Sequence, residues 1–316
     1  MHGGGLGGGL GVLGERVGTP DAYDPSQLFP VPRARGRSPL GLAVGGTALP
    51  FQGEDVWNCY ELSWLQPSGV PRRKVLECRV DCTTPNLVES KSFKLYLNSL
   101  NFTAFASEAE LLDTIGRDLQ GVLGASAPPT LVLHPHDYQG SLSSAAGEFA
   151  SYACIDDEPV EGVGYPLQEV HVPVLTDGEV VIERLCCHQL RTLCPVTTQP
   201  DWGSVFIAYT GPKLQRSSLL RHIASLRREV SFHEAAVERI FLSLPTEARP
   251  TELMVTGQFL RRGGVDINYE NAPRPYRIEL ELPSRQQLAP RPSLQGSVGY
   301  SRTVGGLSAR RPGASS

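Results

Sequence analysis

No two cysteines in this chain are spaced Cys-x-x-Cys, although seven are present: Cys59, Cys78, Cys82, Cys154, Cys186, Cys187 and Cys194. That absence removes zinc-ribbon and thioredoxin readings. An odd count in a chain of 316 residues argues for a reducing cytosol rather than a disulfide framework. No apolar run reaches the roughly 20 residues that span a bilayer. No cationic stretch followed by an apolar core opens the sequence, so neither a membrane anchor nor a signal peptide is expected. A Gly-x-Gly-x-x-Gly following a strand is missing, which leaves a Rossmann cofactor site unsupported. Charge of one sign is missing too: the net charge is −4 with acids and bases mixed, so no basic face points to nucleic acid. Cys187-His188 offers two adjacent metal donors without a third, and no metal site is expected there.

What is present is enough apolar sequence, 40% of residues, for one large domain or two modest ones. Residues 1–46 read as a disordered glycine-rich leader followed by an extended proline- and arginine-bearing arm. Strands are expected at 57–64 and 74–82, where apolar and polar positions partly alternate. Phe93, Tyr96, Leu97 and Leu100 fall at helical spacing. A second helix is expected over 107–123, with Ser107 capping it and Glu110 completing a capping box. A short strand at 130–134 and a connection over 135–156 follow. The second half repeats the plan: strands at 167–174, 179–193 and 204–209, helices over 214–228 and 231–244, and strands at 252–260 and 276–282. The helices carry Leu219, Leu220, Ile223 and Leu226, then Val237, Ile240, Phe241 and Leu244. This gives an α+β protein with an N-terminal module at 47–156, a C-terminal module at 157–284 and a disordered Ser-, Gly-, Pro- and Arg-rich tail at 285–316. The halves align weakly as an internal duplication, Glu89-Ser90-Lys91-Ser92 against Gln215-Arg216-Ser217-Ser218, with Phe105 and Phe232 each opening the next helix.

The stretch that organises the chemistry is Leu193-Cys194-Pro195-Val196-Thr197-Thr198-Gln199-Pro200-Asp201. Its two prolines fix φ and resist helix and central strand, so a rigid turn is expected in which a thiol and a carboxyl face one cavity. Cys194 as thiolate would be a nucleophile. An ionised Asp201 would repel a thiolate, whereas a protonated one in an apolar site would donate a proton to a group under attack. The alternative is a packed cysteine near a loop carboxylate. Ser231-Phe232-His233-Glu234 opens a helix; Ser-x-x-Glu reads as a capping box, and His233 in the first turn could shuttle protons as a neutral imidazole. Glu89, Ser90 and Lys91 open another helix. Glu89 could simply favour the first turn, or its carboxylate could accept paired N–H donors from a guanine-like edge, with Lys91 beside free backbone amides holding a phosphate. Arg261-Arg262-Gly263-Gly264 could be a solvated turn or a phosphate grip.

Together, Glu89-Ser90-Lys91-Ser92-Phe93-Lys94-Leu95-Tyr96, Cys194-Pro195 through Gln199-Pro200-Asp201, Phe232-His233-Glu234 and Arg261-Arg262-Gly263-Gly264-Val265-Asp266-Ile267 resemble the NADPH-dependent nitrile reductases of queuosine biosynthesis, the 7-cyano-7-deazaguanine (preQ0) reductases, in their long two-module form. The resemblance implies tandem tunnelling-fold (T-fold) modules, each an antiparallel sheet with two helices on one face. It implies a cytoplasmic homodimer acting on a free base, without membrane or direct nucleic-acid partners. It also implies reduction of preQ0 to 7-aminomethyl-7-deazaguanine (preQ1) through a covalent Cys194 thioimide. Asp201 would then protonate the nitrile nitrogen and His233 assist. Val88, Glu89, Ser90, His233 and Glu234 would hold the base. Ser90, Lys91, Arg262 and Gly263 would hold NADPH, the co-substrate, and no metal is implied. The competing readings are a T-fold hydrolase or cyclase acting on a purine or pterin, which commonly needs zinc, and a non-catalytic purine-binding module.

Overall fold

The structure is a computed structural model and describes residues 20–42, 49–138, 149–160, 179–244, 250–260, 264–267 and 297–303. The strands expected at 167–174 and 276–282 lie outside the described residues, as do Arg261, Arg262 and Gly263.

Two long antiparallel hairpins dominate. Strand β2 (Gln52–Leu65) pairs with β3 (Pro71–Asp81), and β7 (Val180–Leu193) pairs with β8 (Pro200–Pro212). Each hairpin has one register shift, between Cys59 and Leu62 in the first and between Cys187 and Leu190 in the second. The flanking residues are the same: a buried Cys-x-x-Leu in both strands. A bulge tightens local twist and is a built feature rather than a defect, so the duplication expected from sequence has a second, firmer marker in the strands. The first hairpin adds β5 (Thr130–His134) on β3; the second adds β9 (Glu252–Leu260) on β8 and the two-residue β6 (Ala153–Cys154) on β7. After β9 the chain crosses back, and β10 (Val265–Ile267) pairs antiparallel with β2.

Between β2 and β9 lies β11 (Ser297–Thr303), parallel to both, so that one sheet runs β5-β3-β2-β11-β9-β8-β7-β6. This strand falls in the stretch read from composition as a disordered tail. Strand formation depends on the neighbours that offer a ladder more than on the segment's own residues, and β2 and β9 lie far away in sequence. The sheet is antiparallel apart from the pairs that β11 and β6 make.

The helices follow the apolar spacing. Helix α2 (Ser90–Ser99) buries Phe93, Tyr96 and Leu97, with Leu100 just beyond its end; α3 (Glu108–Leu123) buries Leu111, Ile115, Leu119 and Leu123. In the second half α4 (Arg216–Ser225) contributes Leu219, Leu220 and Ile223, and α5 (His233–Ser243) contributes Val237, Ile240 and Phe241. All join one apolar core with the inward residues of both hairpins. Ser107 caps α3 at the amide of Glu110, and the Glu110 carboxylate returns to the amide of Ala106, 2.7 Å away, one residue outside the expected box. At α5 the expected capping box is absent: the N-cap is Phe232, and the Ser231 hydroxyl turns to the Phe232 carbonyl.

The arm is ordered. Strand β1 (Pro30–Pro32) pairs with β4 (Asn86–Val88), setting Val31 opposite Leu87. Arg33 then buries its guanidinium on Asp55, 2.5 Å away, and Arg37, in α1 (Ala34–Arg37), makes a two-pronged bond to Glu238 of α5. Burying both partners of such a pair makes loss of either one costly. The arm therefore ties the front of the chain to a helix of the back half. Gly36 permits that approach, since a Cβ there would lie 2.7 Å from the Ala235 Cβ.

Candidate active site

Cys194 is the first residue of the tight turn between β7 and β8. Its amide donates to the Gln199 carbonyl and its carbonyl accepts from the Thr198 amide, both at 2.9 Å, and Thr198 takes a left-handed φ of 54° to close the loop. Asp201 does not belong to the turn, as the two prolines had suggested. Pro200 starts β8, the position in a strand where a missing N–H costs least, and Asp201 pairs with Thr192 across the hairpin. A second clamp comes from the chain ahead of α5. The Leu193 amide donates to the Glu229 carbonyl and the Ser231 amide to the Leu193 carbonyl, at 2.7 and 3.0 Å. The residues that pin Cys194 thus lead directly into His233 and Glu234.

These elements surround an open pocket, about 430 Å³ of empty space counted out through its mouth, lined by Val31, Trp57, Leu87, Val88, Glu89, Ser90, Cys194, Pro195, Val196, Asp201, Phe232, His233 and Glu234. The front half and the back half meet here within one chain. His233 Nε2 lies 3.1 Å from Asp201 Oδ2, with both side chains 6% exposed. The imidazole stacks on Phe259, centroids 4.0 Å apart, which fixes its plane. A thiol, an acid and an imidazole within hydrogen-bond reach of that acid therefore face one small, mostly apolar space. Such a set can bond to an electrophilic carbon and pass a proton to the atom beside it.

Glu89 is the N-cap of α2. Its Oε2 accepts from the Ser92 amide at 2.7 Å and its Oε1 from the Lys91 amide at 3.0 Å. Those amides are therefore not free to cradle a phosphate, which corrects the expectation for the α2 N-terminus. A carboxylate offers about four acceptor positions; Oε1 also takes the Ser90 hydroxyl at 3.4 Å, which leaves the open position on Oε2. Glu234 is buried, in the first turn of α5, and also lines the cavity. Ser90 is half-buried at the wall, while Lys91 is exposed and outside the lining. Gly264 follows Gly263: its carbonyl accepts from the Tyr60 amide at 2.9 Å, and its left-handed φ of 81° favours glycine.

Val88, Glu89, Ser90, Cys194, Asp201, His233 and Glu234 are thus brought together, Lys91 stands beside them, and Arg262 and Gly263 lie outside the described residues. Sequence reasoning missed Val31 and Trp57 as walls of the cavity. Trp57 had been placed only as a strand residue, and Val31, isolated between two prolines, carries no periodic signal. It also missed Arg37, which braces α5 from behind.

An α+β fold with a thiol, a carboxyl and an imidazole at one pocket has the layout of an enzyme class equipped for nucleophilic and acid–base chemistry. Comparison with known proteins narrows the class. Residues 19–128 match the family described as nitrile reductase, 7-cyano-7-deazaguanine-reductase N-term, and residues 200–274 match that of QueF-like protein. A protein of Desulfotalea psychrophila called NADPH-dependent 7-cyano-7-deazaguanine reductase is 43% identical over 81% of this chain and 90% of its own length. One of the same name from Chromohalobacter salexigens is 42% identical over 84% of this chain and 95% of its own. The chain belongs to the NADPH-dependent 7-cyano-7-deazaguanine reductase family.

Proposed function

We propose that the protein reduces the nitrile of preQ0 to the aminomethyl group of preQ1, with NADPH as co-substrate, in the making of queuosine. The observation that carries this reading is that Cys194, Asp201 and His233 share their cavity with Glu89 and Glu234. A nitrile is a weak electrophile, and covalent capture with a positioned acid divides one hard step into easier ones. On this reading the base fills the pocket and the nucleotide approaches from the rim at Ser90 and Lys91.

In this mechanism Glu89 and Glu234 accept the N–H donors of the deazaguanine edge, with Val88, Ser90 and His233 touching the ring. That sets the nitrile carbon against Cys194 Sγ. As the S–C bond forms, the nitrile nitrogen takes a proton from Asp201, giving a thioimide. His233 returns a proton to Asp201 across their 3.1 Å contact. NADPH, when bound, supplies a hydride to each of the two reduction stages. Cys194 leaves as thiolate after the first, when the adduct collapses to an imine. Asp201 and His233 provide the proton for the second. Two hydrides and two protons complete the amine. Ser90 and Lys91, joined by Arg262 and Gly263, are the residues assigned to NADPH.

On this reading each half is a T-fold module, supported by the shared order of hairpin, two helices and third strand. The reading extends to a cytoplasmic homodimer working on the free base; no helix among the described residues is long and apolar enough to cross a membrane. The test is loss of NADPH absorbance on adding preQ0, together with intact mass of the protein mixed with preQ0 alone. Turnover and an adduct one base heavier are expected. Turnover with no adduct on Cys194 would overturn the covalent route, and no consumption of NADPH would overturn the function.

A further inference from the structure

We propose that Cys154, Cys186 and His188 form a binding site for a soft divalent cation of the zinc class, at the outer edge of the sheet and apart from the nitrile-reducing cavity. The ligand atoms of these three residues all lie within 4.8 Å of one another. Cys186 Sγ and His188 Nε2 are already 3.8 Å apart. Around a tetrahedral zinc, with Zn–S of about 2.3 Å and Zn–N of about 2.0 Å, such edges measure roughly 3.5 to 3.8 Å. The remaining edges need to close by at most about 1.3 Å. Cys154 can supply that movement, because it is exposed and sits on the two-residue edge strand β6.

The strand geometry explains why these residues meet. Cys186 and His188 are two positions apart on β7 and so share a face, while Cys187 between them points into the core. The parallel pairing of β6 with β7 sets Cys154 directly beside Cys186. The adjacent Cys187-His188, noted in the sequence, was the wrong pair. The right one skips a residue and gains its third donor from a segment more than thirty positions earlier.

The supporting contacts are those of a ligand site. His188 Nδ1 lies 2.8 Å from Ser204 Oγ. With Nδ1–H donating to that hydroxyl, the Nε2 lone pair faces the two sulfurs, which is how ligating histidines are generally oriented. Asp156 accepts from the His188 amide at 2.9 Å and from Gln189 Nε2 at 3.1 Å, clipping the bulge of β7 to the segment that carries Cys154. Phe149, Tyr152 and Phe206 wall the buried Cys186, with the rings of Phe149 and Phe206 stacked at 4.0 Å. Three protein donors leave the fourth position to water from the open side. Binding converts two thiols to thiolates and releases two protons to solvent, with no change of oxidation state. The bound cation would clasp the short β6 to the sheet edge. Cys194 lies eight residues beyond Cys186, just past the end of β7 and roughly 25 Å away at strand rise, so the two sites are chemically separate.

The test uses full-length protein, stripped with a chelator under a non-thiol reductant and then given zinc or cobalt(II) chloride. We expect about one equivalent of zinc per chain, and with cobalt a thiolate charge-transfer band and tetrahedral d–d absorption. Cys154→Ser and His188→Gln, both at exposed positions where folding is not at stake, should each weaken binding at least tenfold. Ser204→Ala should weaken it about tenfold by releasing the ring. Cys194→Ala should bind the metal unchanged. The proposal is overturned if micromolar metal is not taken up, or if uptake is the same in Cys154→Ser and His188→Gln. A Cys154–Cys186 disulfide found by peptide mass in protein kept reduced would overturn it as well.

Discussion

The two hairpins share one plan and differ at the tip. In the front half the turn after β2 opens with Gln66, whose amide donates to the Val70 carbonyl; in the back half the turn after β7 opens with Cys194, whose amide donates to the Gln199 carbonyl. Leu65 and Leu193, one residue earlier, make matching bridges to Ala104 and Val230. Counting along the next strands, Asp201 occupies the place of Arg72. The helix starts differ in the opposite sense. Both front helices have side-chain caps, Glu89 and Ser107, whereas Gln215 and Phe232 cap neither helix of the back half. On the proposed function, the front half offers a capping carboxylate to bind with, and the back half adds to Glu234 a thiol at its turn and an imidazole on an uncapped helix start.

The largest effect should fall on the tip. Cys194→Ala should lower kcat/KM for preQ0 by about 10³-fold or more and remove the adduct from the mass spectrum. Gln66→Ala, at the matching place, should leave both within about twofold. If the Cys194→Ala variant still captures the base, the asymmetry between the tips has nothing to do with catalysis. Next comes Asp201→Asn, which keeps the shape and the contact to His233 but can no longer give up a proton. A fall in kcat of about 10²-fold or more is expected, with the KM for the base little changed. Arg72→Ala should do nothing to either constant. Near-normal kcat in the asparagine variant would remove Asp201 as the acid.

A smaller effect separates the two glutamates. Glu89→Ala and Glu234→Ala should each raise the KM for preQ0 by about tenfold or more, through a lost charge-assisted hydrogen bond of roughly 1.5–3 kcal/mol. Glu89 is also a cap, so its loss should in addition lower stability by about 1 kcal/mol, seen as a shift of a few degrees in Tm. If Glu234→Ala lowers Tm with an unchanged KM, its role is structural, and the division between a capped front half and a reactive back half fails.

The sequence made the helices legible because apolar residues recurring at three and four positions have one burial solution; Phe93, Tyr96, Leu97 and Leu100 are all buried. It made the site legible because Cys194 and Asp201 are near neighbours and Glu89 belongs to a recognisable run. The duplication was read with Phe105 against Phe232. The hydrogen bonds place Phe105 against Ser231 instead, since each donates to its hairpin's last leucine. A one-residue shift of that kind leaves no trace in composition. The wall supplied by Val31, the Arg37–Glu238 brace and the strand β11 were illegible for a common reason: each depends on a partner far along the chain, and nothing local to the segment announces it. Cys186 and Cys187 stand near Cys194 in sequence, but an extended strand puts roughly 25 Å between such positions, well beyond disulfide reach.

The smallest expected effect concerns the arm, which clasps the front half at Tyr23. The Tyr23 hydroxyl donates to Asp118 Oδ2 at 2.7 Å, and the Tyr96 hydroxyl donates to the same oxygen at 2.6 Å. Burial, and then the bond to Asp118, push the Tyr23 hydroxyl from 10.0 up to about 12. A group whose pKa is higher folded than unfolded holds its proton better in the native state. Its stabilisation is therefore whole below pH 10 and is lost as pH rises from 10 through about 12. Thermal unfolding followed across that range should show Tm falling more steeply in the parent than in Tyr23→Phe. The two curves should differ at about pH 8, below the unfolded pKa, and converge at the alkaline end. The difference will be slight, because Tyr23 is 38% exposed and water screens the pair. Parallel curves would mean that the arm's hold on the front half owes nothing to the tyrosine.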